Sequence, residues 1–373
     1  MIYKADITII GAGVIGLSVA SQVAKVGRRV FVLEKNERFG QEQSSRDSEV
    51  IHSGIYYAKD SLKARLCLEG NALLYELCER IGITYRKCGK LIVATNDKEA
   101  ENLEQLFEVA KNNGTSVKML SHRELAQLEP NVRATASFLS STTGVLDSYA
   151  LMGYFGATAR ENGSQIVYRT EVIDIGKLSN GYELTVRDPS GIFSFETRVL
   201  VNCAGLYSDR VAEMAGLDIE KADYRLQWIK GEYYSVGGGK NKLINRLIYP
   251  VPAAVSVGVH VCFDVSWRLR LGPHLYPVDE KSYKIDDSRR HDFLISSMLK
   301  ALPFIEPSDL EPESSGILAM LQGERFGLRD FVIRHEDDKG LPSFINLVGI
   351  ESPGLTSSPA IGRYVGRLIE EIL

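Results

Sequence analysis

No apolar run in these 373 residues approaches the ~18–20 needed to span a bilayer, so the sequence excludes a transmembrane helix. Cysteine is sparse: Cys67, Cys78, Cys88, Cys203 and Cys262 are scattered, odd in number and free of any CxxC. That argues against a disulfide framework or a metal cage, and no metal site is expected; reduced thiols in a cytoplasmic protein are the simpler reading. Excess positive charge is also missing, with 44 Lys and Arg against 48 Asp and Glu and a net charge of −4. Without a basic run or a basic amphipathic helix, a nucleic acid has no electrostatic footprint to bind. The few residues before Asp6 leave no room for a signal or transit peptide, so the protein is expected to stay in the cytoplasm. Peripheral contact at the inner face of the membrane is left open. What remains is 44% hydrophobic and 25% charged, enough for a sizeable core and for two domains.

The chain is organised around its opening stretch. Ile7 to Ile10 reads as a buried strand and runs into Gly11-Ala12-Gly13-Val14-Ile15-Gly16, followed by a helix-like segment up to Gly27. Gly11 suits a tight turn, Gly13 a close approach to a pyrophosphate, and Gly16 the packing of helix on strand. A helix N-terminus there offers N–H groups and a positive dipole end to phosphates. A second strand, Arg29 to Leu33, ends in Glu34, with Lys35 beside it. An acid at that place binds a ribose hydroxyl, whereas an arginine would point to a 2′-phosphate. Strand, glycines, helix, strand and acid in this order predict a dinucleotide site, with FAD and NAD equally open on this motif alone.

After Glu34, Ser44, Ser45 and Ser48 offer hydroxyl donors, Arg46 suits a phosphate or a flavin carbonyl, and His52 and Tyr57 follow. Leucines at helical spacing predict a helix over Ser61 to Ile81, with Gly82 as its stop. Lys90 to Ala94 is strand-like, Asp97 to Asn112 is a charged helix, and Ser121-x-x-Glu124 is a capping box. A further helix covers Ser148 to Asn162, and Val167, Val172 and Ile173 suggest short strands, in a dinucleotide domain an edge near the adenine. Thr197 to Cys203 is a buried strand ending in Ala204-Gly205, small enough for a cofactor to pass close by. From Tyr224 to Leu318 short strands dominate; Val255, Val257, Val259, Val261, Phe263 and Val265 alternate, which places His260 on the opposite, less apolar face. Phe344 to Ile350 is again a buried strand, followed by a glycine turn through Gly354 and a helix to Leu373, with Pro359 expected in its first turn. A helix N-terminus at this second place would stabilise the negative charge of a reduced flavin, which favours FAD over NAD.

Ser48-Glu49-Val50-Ile51-His52-Ser53-Gly54-Ile55-Tyr56-Tyr57, Cys88-Gly89-Lys90-Leu91-Ile92-Val93-Ala94, Asn202-Cys203-Ala204-Gly205-Leu206-Tyr207-Ser208-Asp209, Lys230-Gly231-Glu232-Tyr233-Tyr234, Gly258-Val259-His260 and Gly349-Ile350-Glu351-Ser352-Pro353-Gly354-Leu355-Thr356 together resemble the FAD-dependent L-2-hydroxyglutarate dehydrogenases and oxidases, within the wider glycine-oxidase and D-amino-acid-oxidase-like flavoproteins. The resemblance spans nearly the whole chain. It implies an α/β fold: a discontinuous Rossmann-like FAD-binding domain (1–85, 145–220 and 325–373) and a β-rich substrate-binding domain (86–144 and 221–324). It implies oxidation of a 2-hydroxy acid, L-2-hydroxyglutarate to 2-oxoglutarate, with electrons passing from FAD to a quinone or another acceptor. His260 matches the family's base and His52 its substrate-orienting histidine. The cofactor residues become Gly11, Gly13, Gly16, Glu34, Lys35, Ser44, Ser45, Arg46, Ser48, Val172, Ala204, Gly205, Gly349, Gly354, Leu355 and Thr356. Those for substrate are His52, Tyr57, Tyr249, Arg325 and Arg329.

The chain also departs from that family. Relatives carry an arginine where Leu318 stands and often a basic residue at Met320, so Arg325 and Arg329 are expected to take over carboxylate binding. Two alternatives follow: a related flavin oxidase or dehydrogenase of an amino acid or glycerol 3-phosphate, and a catalytically weakened FAD-binding protein.

Overall fold

The computed structural model describes residues 4–252, 258–296, 298–323 and 329–373. The chain opens with the strand Lys4–Ile10, whose Ile7, Ile9 and Ile10 are all buried. Both faces are covered from Ile7 onward, so Ile7, Thr8, Ile9 and Ile10 are buried in succession without alternation. It passes through Gly11 to Gly13 into the helix Val14–Val23, which stops at Ala24 before Gly27, and returns as the strand Val30–Leu33.

Five parallel strands lie side by side in the order Phe344–Val348, Gly191–Asn202, Lys4–Ile10, Val30–Leu33, Gln165–Val167. Glu171–Leu178, Gly181–Asp188 and Val332–His335 pair antiparallel and bring the sheet to eight strands. Gly191–Asn202 is long enough to serve two neighbours on one edge: residues 191–197 pair with Gly181–Asp188, and residues 200–202 with Phe344–Val348. One face packs Ile7, Ile9, Val32, Val201 and Ile345 against Leu17, Leu74, Leu151 and Ile361 of the covering helices Val14–Val23, Leu62–Ile81, Ser148–Glu161 and Gly354–Ile372. The other buries Ile10, Leu33, Leu200 and Phe344 against Tyr182, Leu184 and Val211. Each such side chain contributes about 1.5–3 kcal/mol of burial.

Two further four-stranded sheets are formed by His260–Phe263, Leu269–Val278, Leu226–Val236 and Leu310–Leu321, and by Leu247–Pro250, Lys90–Ala94, Ala136–Ser140 and Val117–Leu120. They share a second core containing Leu91, Val93, Phe138, Ile248, Val261, Phe263 and Leu271. The expected α/β dinucleotide fold with a β-rich partner is the observed one.

Local signals hold in detail. Ser61 accepts the Ala64 N–H at the start of Leu62–Ile81 and Gly82, at φ 75°, ends it; the Ser121–Glu124 capping box is formed. Two expectations need correction. The alternating stretch does not run as one strand to Val265: the strand is His260–Phe263, residues 253–257 lie outside the described residues, and Asp264 ends it by accepting the Arg268 N–H. Neither face of that strand is solvated, since His260 and Cys262 are as buried as Val261 and Phe263. Pro359 sits in the second turn of Gly354–Ile372, not the first, so it removes one N–H from the helix ladder.

Candidate active site

The C-terminal ends of the parallel strands converge, as ligand sites in open α/β sheets do. Gly11 to Gly13, Glu34 and Lys35, Thr170 to Val172, Cys203 to Gly205, and Ile350 to Leu355 all reach this edge, and most line a cavity of about 1120 Å³. That exceeds the ~300–1,000 Å³ of a typical small-molecule site and leaves room for a dinucleotide and a substrate together.

The residues present fit such a cofactor. Gly11 has φ +103°, and a Cβ there would stand 2.4 Å from the Cys203 carbonyl oxygen; one on Gly13 would stand 2.9 Å from Ser44 Oγ. Glu34 Oε2 accepts the Ala12 N–H at 2.9 Å and Oε1 the Asn36 N–H at 2.8 Å, leaving lone pairs for ribose hydroxyls. Ser44 Oγ accepts the Val14 N–H at 3.0 Å and keeps its own proton to donate. Arg46 lies on the Tyr283 ring at 3.7 Å, and its buried Nε has no hydrogen-bond partner, a cationic donor suited to an anion or a flavin carbonyl. Ser48 bonds Tyr233 at 2.8 Å, while Lys35, Val172, Ala204, Gly205, Gly354 and Leu355 line the wall.

Four of the residues expected to touch the cofactor are absent from that lining. Gly16 packs against Gly11, whose carbonyl oxygen would be 1.9 Å from an added Cβ. Gly349 is covered by Leu321, Ser45 turns its hydroxyl towards the Glu42 carbonyl, and Thr356 donates to the Val50 carbonyl while accepting the His52 N–H.

At the other end of the cavity stand His52, Tyr56, Tyr57, Tyr233, Tyr249 and His260. His260 is 4% exposed and stacks on Tyr249 with ring centroids 3.6 Å apart. Its Nδ1 meets the Gly258 carbonyl at 2.9 Å; a carbonyl only accepts, so Nδ1 carries the proton and Nε2 the lone pair. Burial, reinforced by Lys90, pulls His260 down to about 3, so the ring is neutral at physiological pH. His52 is lowered by the same two causes, burial first; its Nε2 faces Ser352 Oγ at 3.3 Å and its Nδ1 has no partner. Asp47, also in the wall, is pushed up to about 7 by burial and the neighbouring Glu49. Glu351 lines the cavity as well, and Lys63 pairs with it in the interior.

Arg325 lies outside the described residues. Arg329 does not line the cavity: its guanidinium is held by the Gln322 and Asp223 carbonyls at 2.7 and 2.8 Å and by the Asp223 carboxylate at 3.1 Å. Leu318 and Met320, by contrast, do line it. Sequence reading passed over Tyr56, Tyr233 and Lys90. The signal for Lys90 was there, a lysine heading a strand whose other positions are all apolar.

The cradle and its two neutral histidines define a flavoprotein oxidoreductase site, and the comparisons agree. The chain belongs to the FAD dependent oxidoreductase family, whose model matches residues 6–368. It is 33% identical to the mitochondrial L-2-hydroxyglutarate dehydrogenase of Arabidopsis thaliana, over 97% of this chain and 83% of that one. It is 29% identical to a glycerol 3-phosphate dehydrogenase of Caloramator mitchellensis, over 98% of this chain and 74% of the other. Among solved structures it resembles the dithionite-reduced L-alpha-glycerophosphate oxidase of Mycoplasma pneumoniae with FAD bound, at TM-score 0.88 and 26% identity, over 99% of this chain and 95% of that one. The cofactor is FAD.

Proposed function

We propose that this protein oxidises a 2-hydroxy acid, L-2-hydroxyglutarate, to the 2-oxo acid. The observation that carries the reading is His260, neutral, with Nδ1 anchored and Nε2 bearing its lone pair at the substrate end of the dinucleotide cavity. Bound FAD supplies a hydride acceptor for the substrate's C2–H. His260 Nε2 takes the hydroxyl proton, His52 and Tyr57 orient the substrate, and the buried wall keeps water from the reacting carbon. The choice of acid rests on the Arabidopsis relative. Electrons pass on to a quinone or another acceptor. We read residues 1–85, 145–220 and 325–373 as the FAD-binding unit and 86–144 and 221–324 as the substrate unit; in support, the eight-stranded sheet draws its strands from 4–33, 165–202 and 332–348. A cytoplasmic location suits the five free cysteines, with peripheral contact at the membrane where the acceptor is a lipid-soluble quinone. Among the described residues no helix is long and apolar enough to cross a membrane.

The test is anaerobic: the yellow holoenzyme is mixed with L-2-hydroxyglutarate, its D-isomer, L-lactate, glycerol 3-phosphate or glycine, and flavin bleaching is followed. Bleaching by the L-isomer alone supports the reading. Bleaching by glycerol 3-phosphate alone supports the alternative suggested by the Caloramator relative, which the apolar Leu318 and Met320 also keep open. Yellow protein that none of them bleaches refutes both and favours a weakened flavoprotein.

A further inference from the structure

We propose that Lys90 supplies the positive charge met by the substrate's carboxylate, with the hydroxyls of Tyr56 and Tyr249 as the groups that touch it. The proposal deepens the reading above and rests on it, in taking the ligand of this cavity to be a carboxylate.

Lys90 heads the strand Lys90–Ala94 and is 0% exposed. Its ammonium has no hydrogen-bond partner and stands over two rings, 4.7 Å from the centroid of Tyr56 and 4.4 Å from that of Tyr249. Both of those tyrosines line the cavity, and both hydroxyls are buried without a partner, as is His52 Nδ1. Folded proteins rarely leave one buried polar group unsatisfied, and here four adjoin one wall. A carboxylate, with its several acceptor sites and its charge, answers the cation and both hydroxyls at once.

Other cations near the cavity stand against acids or in the cofactor cradle. Lys63 is paired with Glu351, Arg270 stands 3.8 Å from Glu313, Arg329 is tied to Asp223, and Arg46, whose Nε is unpartnered, lies on Tyr283 among the cradle residues. The groups facing Lys90 are Cys67 from the helix Leu62–Ile81, Cys262 and His260 from the strand His260–Phe263, Tyr249 from Leu247–Pro250, and Tyr56 and His52 from the segment before the helix. None is an anion at neutral pH: burial raises Cys67 to about 12 and Cys262 to about 11 and keeps both tyrosines protonated. Burial therefore lowers Lys90 itself to about 7, and an arriving carboxylate draws a proton onto it. Lys90 acts through the two tyrosines, as a positioning residue.

The test titrates FAD-loaded enzyme with 2-oxoglutarate, pyruvate and inorganic phosphate between pH 6 and pH 9, reading the flavin absorbance. In the wild type, carboxylate affinity should fall about tenfold per pH unit above pH 7. Lys90→Met should bind carboxylates at least about tenfold more weakly at pH 6 and lose that slope. Its melting temperature should be equal or higher, since an uncompensated buried ammonium gives way to an apolar chain of similar shape. A purely structural lysine would instead lower the melting temperature and leave affinity and slope unchanged. Tyr56→Phe and Tyr249→Phe keep Lys90 and change one atom each; each should weaken carboxylate binding severalfold with FAD content intact. Unchanged binding in both, or tighter binding of phosphate than of carboxylates by the wild type, overturns the proposal. If L-2-hydroxyglutarate is not oxidised while carboxylates still bind more weakly to Lys90→Met, the substrate assignment falls and the role of Lys90 stands.

Discussion

Gly11→Ala is the sharpest probe of the cofactor cradle, because two separable costs meet at that residue. The first is conformational: at φ +103° an L-residue is strained by about 1–3 kcal/mol. The second is steric. The new Cβ would lie 2.4 Å from the Cys203 carbonyl oxygen and 3.0 Å from its carbon, against ~3.5–4.0 Å for an ordinary contact. About 1 Å must therefore open between the ends of Lys4–Ile10 and Gly191–Asn202, which are locked by their parallel pairing and by Cys203 N–H donating to the Ile10 carbonyl at 2.9 Å. That movement carries Gly11, Gly13 and Ala204 to Gly205 out of register along the cofactor wall. Losing the alignment of two amide contacts to a charged ligand, at about 1.5–3 kcal/mol each, predicts about 4 kcal/mol, or roughly 10³-fold in FAD affinity. The assay is flavin content after purification, then fluorescence titration of the stripped protein with FAD. Gly27→Ala is the control: its φ is +87° but a Cβ there meets nothing within 4 Å, so it carries the conformational cost alone and should keep its FAD. A Gly11→Ala protein that retains stoichiometric FAD, with an affinity within about threefold of the wild type (about 0.6 kcal/mol), refutes the steric account.

His260→Gln should lower the rate of anaerobic flavin reduction by about 10²–10⁴-fold with FAD content unchanged. Because His260 in the free enzyme titrates at about 3, its base form persists above that pH, and kcat/KM should show no loss from its protonation down to about pH 4. Leu318→Arg places a cation on the cavity wall and should lower KM for a dicarboxylate about tenfold; an unchanged KM in steady-state assays would mean that the substrate does not reach this position. Lys63→Met strands Glu351, already raised by burial, and should cost about 3–5 kcal/mol in denaturant unfolding at pH 8, less as falling pH protonates the carboxyl. Lys90 has the opposite sign: lowered from 10.5 to about 7, it penalises folding fully below pH 7 and progressively less as pH rises towards 10.5. Wild-type stability relative to Lys90→Met should thus rise by about 2–3 kcal/mol from pH 7 to pH 9 in urea unfolding, and no rise would mean that the ammonium is solvated.

The two ends of the cavity differ in how far sequence reveals them. At the dinucleotide end the determinants are local. A turn that demands positive φ at Gly11, the close approach at Gly13 and an acid closing the next strand all fall within residues 6–34, so spacing alone carries the chemistry. Helix ends at Ser61, Gly82 and Ser121 are legible for the same reason, since a cap is set by residues three or four apart. Where reading overreached, a neighbour in sequence stood in for a neighbour in space. Ser45 beside Ser44 and Thr356 beside Leu355 turn away from the cavity, because successive residues of a turn or helix point in different directions.

The substrate end has no such locality. His52, Tyr56, Lys90, Tyr249 and His260 come from four separate segments and meet because the strands Lys90–Ala94, Leu247–Pro250 and His260–Phe263 pack beside the segment that precedes Leu62–Ile81. A lysine heading an otherwise apolar strand signals burial, but what it stands against, the rings of Tyr56 and Tyr249, comes only from the tertiary placement. The same placement bears on Leu318. An apolar residue where the family resemblance leads one to expect an arginine reads as a lost carboxylate partner only if the charge had to come from that strand. If the Lys90 ammonium over the rings of Tyr56 and Tyr249, whose hydroxyls have nothing else to bond, supplies that charge, the site keeps its carboxylate chemistry while Leu318 contributes apolar surface. Leu318→Arg in a Lys90→Met background should recover carboxylate affinity if the two positions face the same carboxylate, and leave it low if they do not.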